Sequence, residues 1–403
     1  RECYAIKENE VNQEVMAVID AMHGRGIPVL IEVVFNHGGE LGVKAGGEDV
    51  VYRKHDNGDF CHGSGCGPTV QTENPFIREM IIETLEHLVK SYRFDGFRFD
   101  LGALHDKQTM IEIDRRLPKR IYLIAEPWAL GGTQWGKGDL AHEFAETRWA
   151  VWNDDFREPG KTFLMGGGDL HNRDRLMNAV RGNHIAHGGW AVRPQQCINY
   201  LSSHDGKTLA DFVEGDKKRT FLGVLMVLTA QGVPMLSEGS ELMYSKQGHE
   251  NSYDRPDLNQ IDWNNTRHHK DLVDAVVQLI ALRKRYPHFH YAEQLRVRNP
   301  KSKTWDIDWI YPTGHPHHDN VNAIGFILKP PPAWYRRRRL SKALVVLLNG
   351  SNEGAEFRLP KGKWKVLADG NSIVVKLHGI RDVPPAQGDY HVHPGTGVVL
   401  ARL

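Results

Sequence analysis

The sequence predicts an α/β protein in which strands and helices alternate on a parallel sheet, followed by a small antiparallel β-domain. Three observations predict it. Short, nearly continuous runs of β-branched and aromatic residues recur between segments with helical spacing. The ends of those runs carry Asp, Glu, His and Arg. After about residue 288 the pattern changes to short strands separated by turns, which divides the chain into an α/β part over residues 1–288 and a β-part over residues 289–403.

Taken in order, Val11, Val15, Val18, Ile19 and Met22 line one face of a helix, which Gly24 and Gly26 stop. PVLIEVVF, residues 28–35, is the apolar run expected of a parallel strand buried on both faces. The same pairing follows as a helix over 75–92, a strand over 94–100, a helix over 107–116 and a strand over 121–126. The signals weaken over 143–153. They return as a strand at 198–202, a helix at 217–231, a strand at 234–236 and a helix at 270–285, about six strand–helix units in all. Beyond residue 288, strands are expected at 323–328, 343–348, 364–367 and 396–401, as a small antiparallel sandwich. KPPPAWYRRRR, residues 329–339, reads as an exposed, solvated insertion rather than a phosphate site.

Composition narrows the function. The 403 residues include 51 Lys or Arg and 50 Asp or Glu, so the formal net charge is +1, which disfavours nucleic acid or a membrane surface as a partner. With 40% hydrophobic and 25% charged residues the chain is in the ordinary globular range. No run approaches the roughly 18 apolar residues of a membrane helix. Four cysteines are too few for a disulfide framework at this length and say little about compartment.

In parallel α/β architectures, functional side chains collect at the C-terminal ends of the strands. The run FDGFRFD ends in Asp100 with Arg98 two residues earlier, so the two share a face while Phe97 and Phe99 share the other. A guanidinium beside a carboxylate keeps it ionised, as a nucleophile requires. The next strand ends in Glu126, followed by Pro127 and Trp128. Two carboxylates at adjacent strand ends can approach to about 5 Å, the separation of a retaining glycosidase. Asp205 follows His204 after INYLSS, and Asn36 and His37 end the first run. Each piece has a plainer explanation by itself: a structural ion pair, a loop cap, a turn. Four of them at four successive strand ends are harder to assign to coincidence.

These residues resemble the four sequence regions of the α-amylase superfamily of (β/α)8-barrel glycoside hydrolases: VVFNH at 33–37, GFRFDLGAL at 96–104, IAEPW at 124–128 and YLSSHDG at 200–206. The resemblance covers most of residues 9–290. It implies a TIM-type barrel with a C-terminal β-sandwich, Asp100 as nucleophile, Glu126 as general acid/base and Asp205 as transition-state stabiliser. It also implies Asn36, His37, Arg98, Trp128 and His204 as substrate-binding residues. GFRFDL, AEPWALGG at 125–132 and NSYDRPDLNQIDW at 251–263 are most similar to the debranching group of isoamylases, pullulanases and glycogen debranching enzymes. The implied activity is hydrolysis of α-1,6 branch linkages in glycogen, starch dextrins or pullulan, with retention of configuration. The alternatives are an α-1,4-acting amylase or transglycosylase and a non-catalytic glucan-binding homologue. An α-glucan is the expected partner; the oligomeric state and the compartment, for which the lean is cytoplasmic, are not legible.

The chain departs from the family pattern in three places. Glu32 stands where the family usually has aspartate before VVxNH. After the last strand, Ser240, Glu241 and Tyr244 replace the debranching pattern of paired acids followed by arginine. The family barrel also has two βα units before VVFNH that find no counterpart here, so a truncated barrel, poorly soluble or weakly active alone, is expected. No cofactor is expected. CHGSGC at 61–66 offers two thiols and His62, but no second ligand pair with structural zinc spacing accompanies it, so an ordinary loop is expected and no metal is assigned. Calcium, held by many family members, has no locatable site in the sequence.

Overall fold

The structure is a computed structural model that describes residues 11–38, 47–290, 307–313, 320–329, 341–381 and 383–403. The chain divides into two compact units, one of residues 1–152 with 190–192, the other of residues 153–189 with 193–403. Residues 330–340, with most of the Pro- and Arg-rich stretch, lie outside the described residues.

The first unit runs α1 (Val11–His23), β1 (Leu30–Val33), α2 (Pro75–His87), β2 (Gly96–Phe99), α3 (Lys107–Arg116), β3 (Tyr122–Ala125) and β4 (Ala150–Trp152). The four strands are parallel neighbours in chain order, with Glu32 opposite Arg98, Phe99 opposite Ala125 and Ala125 opposite Val151. Each helix begins or ends for a local reason. Asn74 caps α2 by accepting from the Phe76 amide, with Pro75 at the first helical position, where its missing N–H costs nothing. Asp106 caps α3 by accepting from the Thr109 amide. Alternate residues of β2, Phe97 and Phe99, are fully buried with Ile81, Leu85, Ile113 and Trp149. That apolar face fixes which way Arg98 and Asp100 point.

One side chain joins α3 to the strands. The Arg148 guanidinium donates from Nε to Asp114 Oδ1 at 2.7 Å, from Nη1 to the Pro118 and Ile121 carbonyls, and from Nη2 to the Asp114 and Leu117 carbonyls. It thereby takes up the free carbonyls at the end of α3. Arg148→Met would leave the buried Asp114 carboxylate with the backbone amide of residue 148 at 3.0 Å and Lys119 Nζ at 3.9 Å, and would take the donor from these carbonyls, with an expected loss of about 2 kcal/mol. The chemical-denaturation midpoint measures it. Arg148→Lys should recover little, since an ammonium lacks the fork; a loss below about 1 kcal/mol for the Met variant would remove Arg148 from this role.

The second unit begins with α4 (Asp154–Leu164) and α5 (Leu170–Val180), then β5 (Cys197–Asn199), α6 (Leu209–Phe212), α7 (Lys217–Thr229), β6 (Val233–Pro234) and α8 (Lys270–Arg285). β5 and β6 pair in parallel. Arg283 of α8 is buried and donates to the Leu228 carbonyl in the last turn of α7 and to the Ala230 and Gly232 carbonyls that follow it; burial pushes it down to about 10. Eight strands follow: β7 (Ile307–Ile310), β8 (Ala323–Leu328), β9 (Leu344–Asn349), β10 (Ala355–Arg358), β11 (Trp364–Asp369), β12 (Val374–Val375), β13 (Asp389–Val392) and β14 (Thr396–Arg402). Six form an antiparallel sheet in the order β12-β11-β14-β9-β8-β7, and β10 pairs with β13. One face of the large sheet packs with α7 and α8 through Phe221, Leu225, Leu279, Phe326, Val346 and Val399; the other builds a second core around Val345, Leu347, Phe357, Trp364 and Leu400. Among the described residues no helix is long and apolar enough to cross a membrane.

Candidate active site

Towards the C-terminal ends of β1, β2 and β3, Glu32, Arg98, Asp100 and Glu126 form a charged cluster. Arg98, 6% exposed, is its centre. Its Nη1 donates to Glu32 Oε1 at 2.5 Å and to Asp100 Oδ1 at 3.0 Å, and its Nη2 donates to Glu126 Oε1. The Trp152 ring at the end of β4 covers the guanidinium, 4.3 Å from Cζ, and Trp128 meets Trp152 edge-on with centroids 6.4 Å apart. An aromatic face favours the cation and shields it from water.

The two candidate catalytic carboxylates are held differently. Asp100, a quarter exposed, accepts at Oδ1 from Arg98 and at Oδ2 from Asn36 Nδ2 at 2.8 Å. Asn36 is buried and also donates to the Asp100 carbonyl at 2.8 Å, while its Oδ1 accepts from His37 Nδ1 at 2.5 Å. That chain of bonds orients His37 and makes Nδ1 its donor to Asn36. Glu126 is 4% exposed, and its Oε2 accepts from the Leu101 amide at 2.9 Å. Burial pushes its carboxyl above the usual glutamate range, against the opposing pull of Arg98 and the Leu101 amide. Two carboxylates on one guanidinium, one open and one buried, is an arrangement that separates an ionised role from a protonated one.

The turn after Asp100 makes this possible. Leu101 adopts the left-handed region at φ 40°, a conformation costly for a side chain with a Cβ, and so aims its amide at Glu126. Gly102 follows because a Cβ there would meet that of Ala125 at 2.7 Å. Beneath the turn, His105 is fully buried against Phe99 and is pushed down to about 4 by burial.

His204 and Asp205 belong to the second unit, on the loop after β5. Both are exposed, and His204 Nε2 lies 3.4 Å from Asp205 Oδ2. Thus Asn36, His37, Arg98, Asp100, Glu126 and Trp128 assemble at adjoining strand ends of one unit, while His204 and Asp205 occupy a strand end of the other. Sequence reasoning missed Trp152, whose three-residue strand is too short for a periodic signal, and the left-handed Leu101. It flagged Glu32 as a departure; the longer acid pairs with Arg98 directly across β1 and β2. In the 61–66 loop, Cys61 is half-buried and Cys66 exposed, both as free thiols. Among the described residues no three His, Cys, Asp or Glu side chains gather as a metal site.

No protein-family model matches the chain. The glycogen debranching enzyme of Yersinia enterocolitica is 26% identical over 412 residues, which covers 88% of this chain and 59% of that protein. The pullulanase of Bacillus subtilis is 31% identical over 307 residues, 68% of this chain and 42% of that protein. Among solved structures, the pullulanase of Anoxybacillus sp. LM18-11 complexed with maltotriose superposes with a TM-score of 0.81 at 25% identity, over 97% of this chain and 55% of that one. The chain thus spans about half the length of the curated relatives it matches. Its parallel sheet and antiparallel sheets fit an α-amylase-type fold. The chain is similar to the debranching group, the glycogen debranching enzymes and pullulanases.

Proposed function

We propose that this chain carries the catalytic machinery of a retaining glycoside hydrolase that cleaves α-1,6 branch linkages in glycogen, starch dextrins or pullulan. On this reading the parallel strands belong to a (β/α)8-type barrel over residues 1–288, with a β-sandwich domain over 289–403. Asp100 attacks the anomeric carbon, and the C–O bond breaks as Glu126 passes its proton to the leaving oxygen. Water, deprotonated by Glu126, then releases the sugar from Asp100 with its configuration retained. Asp205 stabilises the transition state. Asn36, His37, Arg98, Trp128 and His204 orient the carboxylates and line the sugar site; here Asn36 and Arg98 act through Asp100 and Glu126.

The observation that carries this reading is the unequal holding of Asp100 and Glu126 by one guanidinium. The relatives named for glycogen debranching and pullulan, and the bound maltotriose of the solved pullulanase, support an α-glucan as substrate. A neutral polymer also agrees with the net charge of +1.

Reducing-end release from pullulan and from linear maltodextrin tests it. Maltotriose from pullulan, with little release from maltodextrin, is the expected result. Cleavage of maltodextrin alone would move the activity to α-1,4 linkages. Glucan binding with no cleavage of either would leave a binding protein.

A further inference from the structure

The loop over residues 243–250 brackets Asp205. The Lys246 ammonium donates to the His204 carbonyl at 3.0 Å, and the Gly206 amide donates to the Glu250 carbonyl at 3.0 Å. The peptides on either side of Asp205 are therefore both tied to one loop. Its carboxylate, by contrast, is 80% exposed and has His204 as its ion-pair neighbour among the described residues. The backbone is fixed while the functional group is left open.

Lys246 is the unusual member. It is 2% exposed, and among the described residues it pairs with no carboxylate within 4 Å; a backbone carbonyl receives its charge. Burying an ammonium without an anion is costly, and a methionine would fill the same space without that penalty. The loop that holds it is itself anchored away from Asp205. Asp211 accepts from Ser245 Oγ and from the Lys246 amide at 2.8 Å, and Tyr244 donates to the Leu258 carbonyl at 2.8 Å. Met243 and Gln247 both adopt left-handed backbone, at φ 55° each, strain that only a well-anchored loop sustains.

We propose that Lys246 is a positioning residue that sets the location of the Asp205 carboxylate through the His204 carbonyl. This rests on Asp205 acting as the transition-state stabiliser. Loss of the grip should lower kcat more than it raises KM, because it displaces a group used chiefly in the transition state.

A double-mutant cycle tests it. Lys246→Met is expected to lower kcat on the branched glucan about 10- to 100-fold, Lys246→Arg to retain most of the activity, and Lys246→Met to have no further effect in an Asp205→Ala background. An equal loss in both backgrounds, or one that tracks a lowered melting temperature, would overturn the proposal. Should Lys246→Met fail to fold, Lys246→Gln carries the same cycle. Hydrogen exchange of the Gly206 amide reads the grip without turnover and should quicken in the Lys246 variant; unchanged exchange sinks the proposal whatever the activity. Absence of glucan cleavage by the unmodified chain would instead count against the hydrolase reading and the catalytic part of this inference, with the exchange result still deciding whether the grip exists.

Discussion

Asp100→Asn should abolish turnover, by on the order of 10⁴-fold or more, with substrate binding largely kept. The substitution conserves volume and leaves the β2 core face untouched, so Phe97 and Phe99 keep the strand in place. Two things are lost. The amide is a poor nucleophile, and it cannot accept at both ends. Asp100 receives Arg98 at one oxygen and Asn36 at the other, so an amide must turn its NH₂ toward one of these donors and leave that pair unsatisfied. The measurement is kcat on the branched glucan beside the dissociation constant for a maltooligosaccharide. Residual turnover above about one per cent would take the nucleophile's role from Asp100.

Glu126→Gln should lower activity on natural substrates by about 10²- to 10⁴-fold, and far less on glycosides with activated leaving groups, which depart without a proton. Equal losses on both would argue against Glu126 as the acid. The pH profile gives a second readout. Burial raises this carboxyl, so it keeps its proton to higher pH than an ordinary glutamate, and the alkaline limb of kcat/KM should lie above the usual glutamate range. That limb should vanish in the Gln variant. The same shift has a sign for folding: native protein holds the proton more tightly than unfolded chain, so Glu126 favours folding below the ordinary glutamate value and loses that contribution as pH rises through its raised value.

Much of this site was legible because strand ends concentrate chemistry and because alternate residues face opposite ways. Arg98 and Asp100 were expected on one face and Phe97 and Phe99 on the other, as found. The helix expected over 107–116 has those bounds, since Asp106 supplies a cap at its start and the backbone turns extended at Leu117. The helices Asp154–Leu164 and Leu170–Val180 went unread. Pro159 and Gly160 lie inside the first, a pair that signals a turn, and the helix survives by packing Phe156, Phe163 and Leu164 into the core. Trp152 was hidden for another reason: its value lies in covering Arg98, a contact between strands that no local pattern encodes. The bracket around Asp205 is likewise made by residues about 40 positions away.

On the proposed reading, the cluster around Arg98 has a consequence for which sugars the strand ends would admit. Glu32, Asp100 and Glu126 surround a single guanidinium. Even with Glu126 protonated, the two remaining carboxylates outnumber it, giving a local anionic excess in a chain whose overall charge is +1. Such a field leaves a neutral hexose indifferent, turns away phosphorylated or carboxylated sugars, and attracts a ring that bears positive charge. On the proposed chemistry the ring gains positive charge only as its bond to the leaving oxygen breaks. On that chemistry, the same electrostatics that would exclude anionic metabolites would act on the reacting sugar at the moment its charge develops.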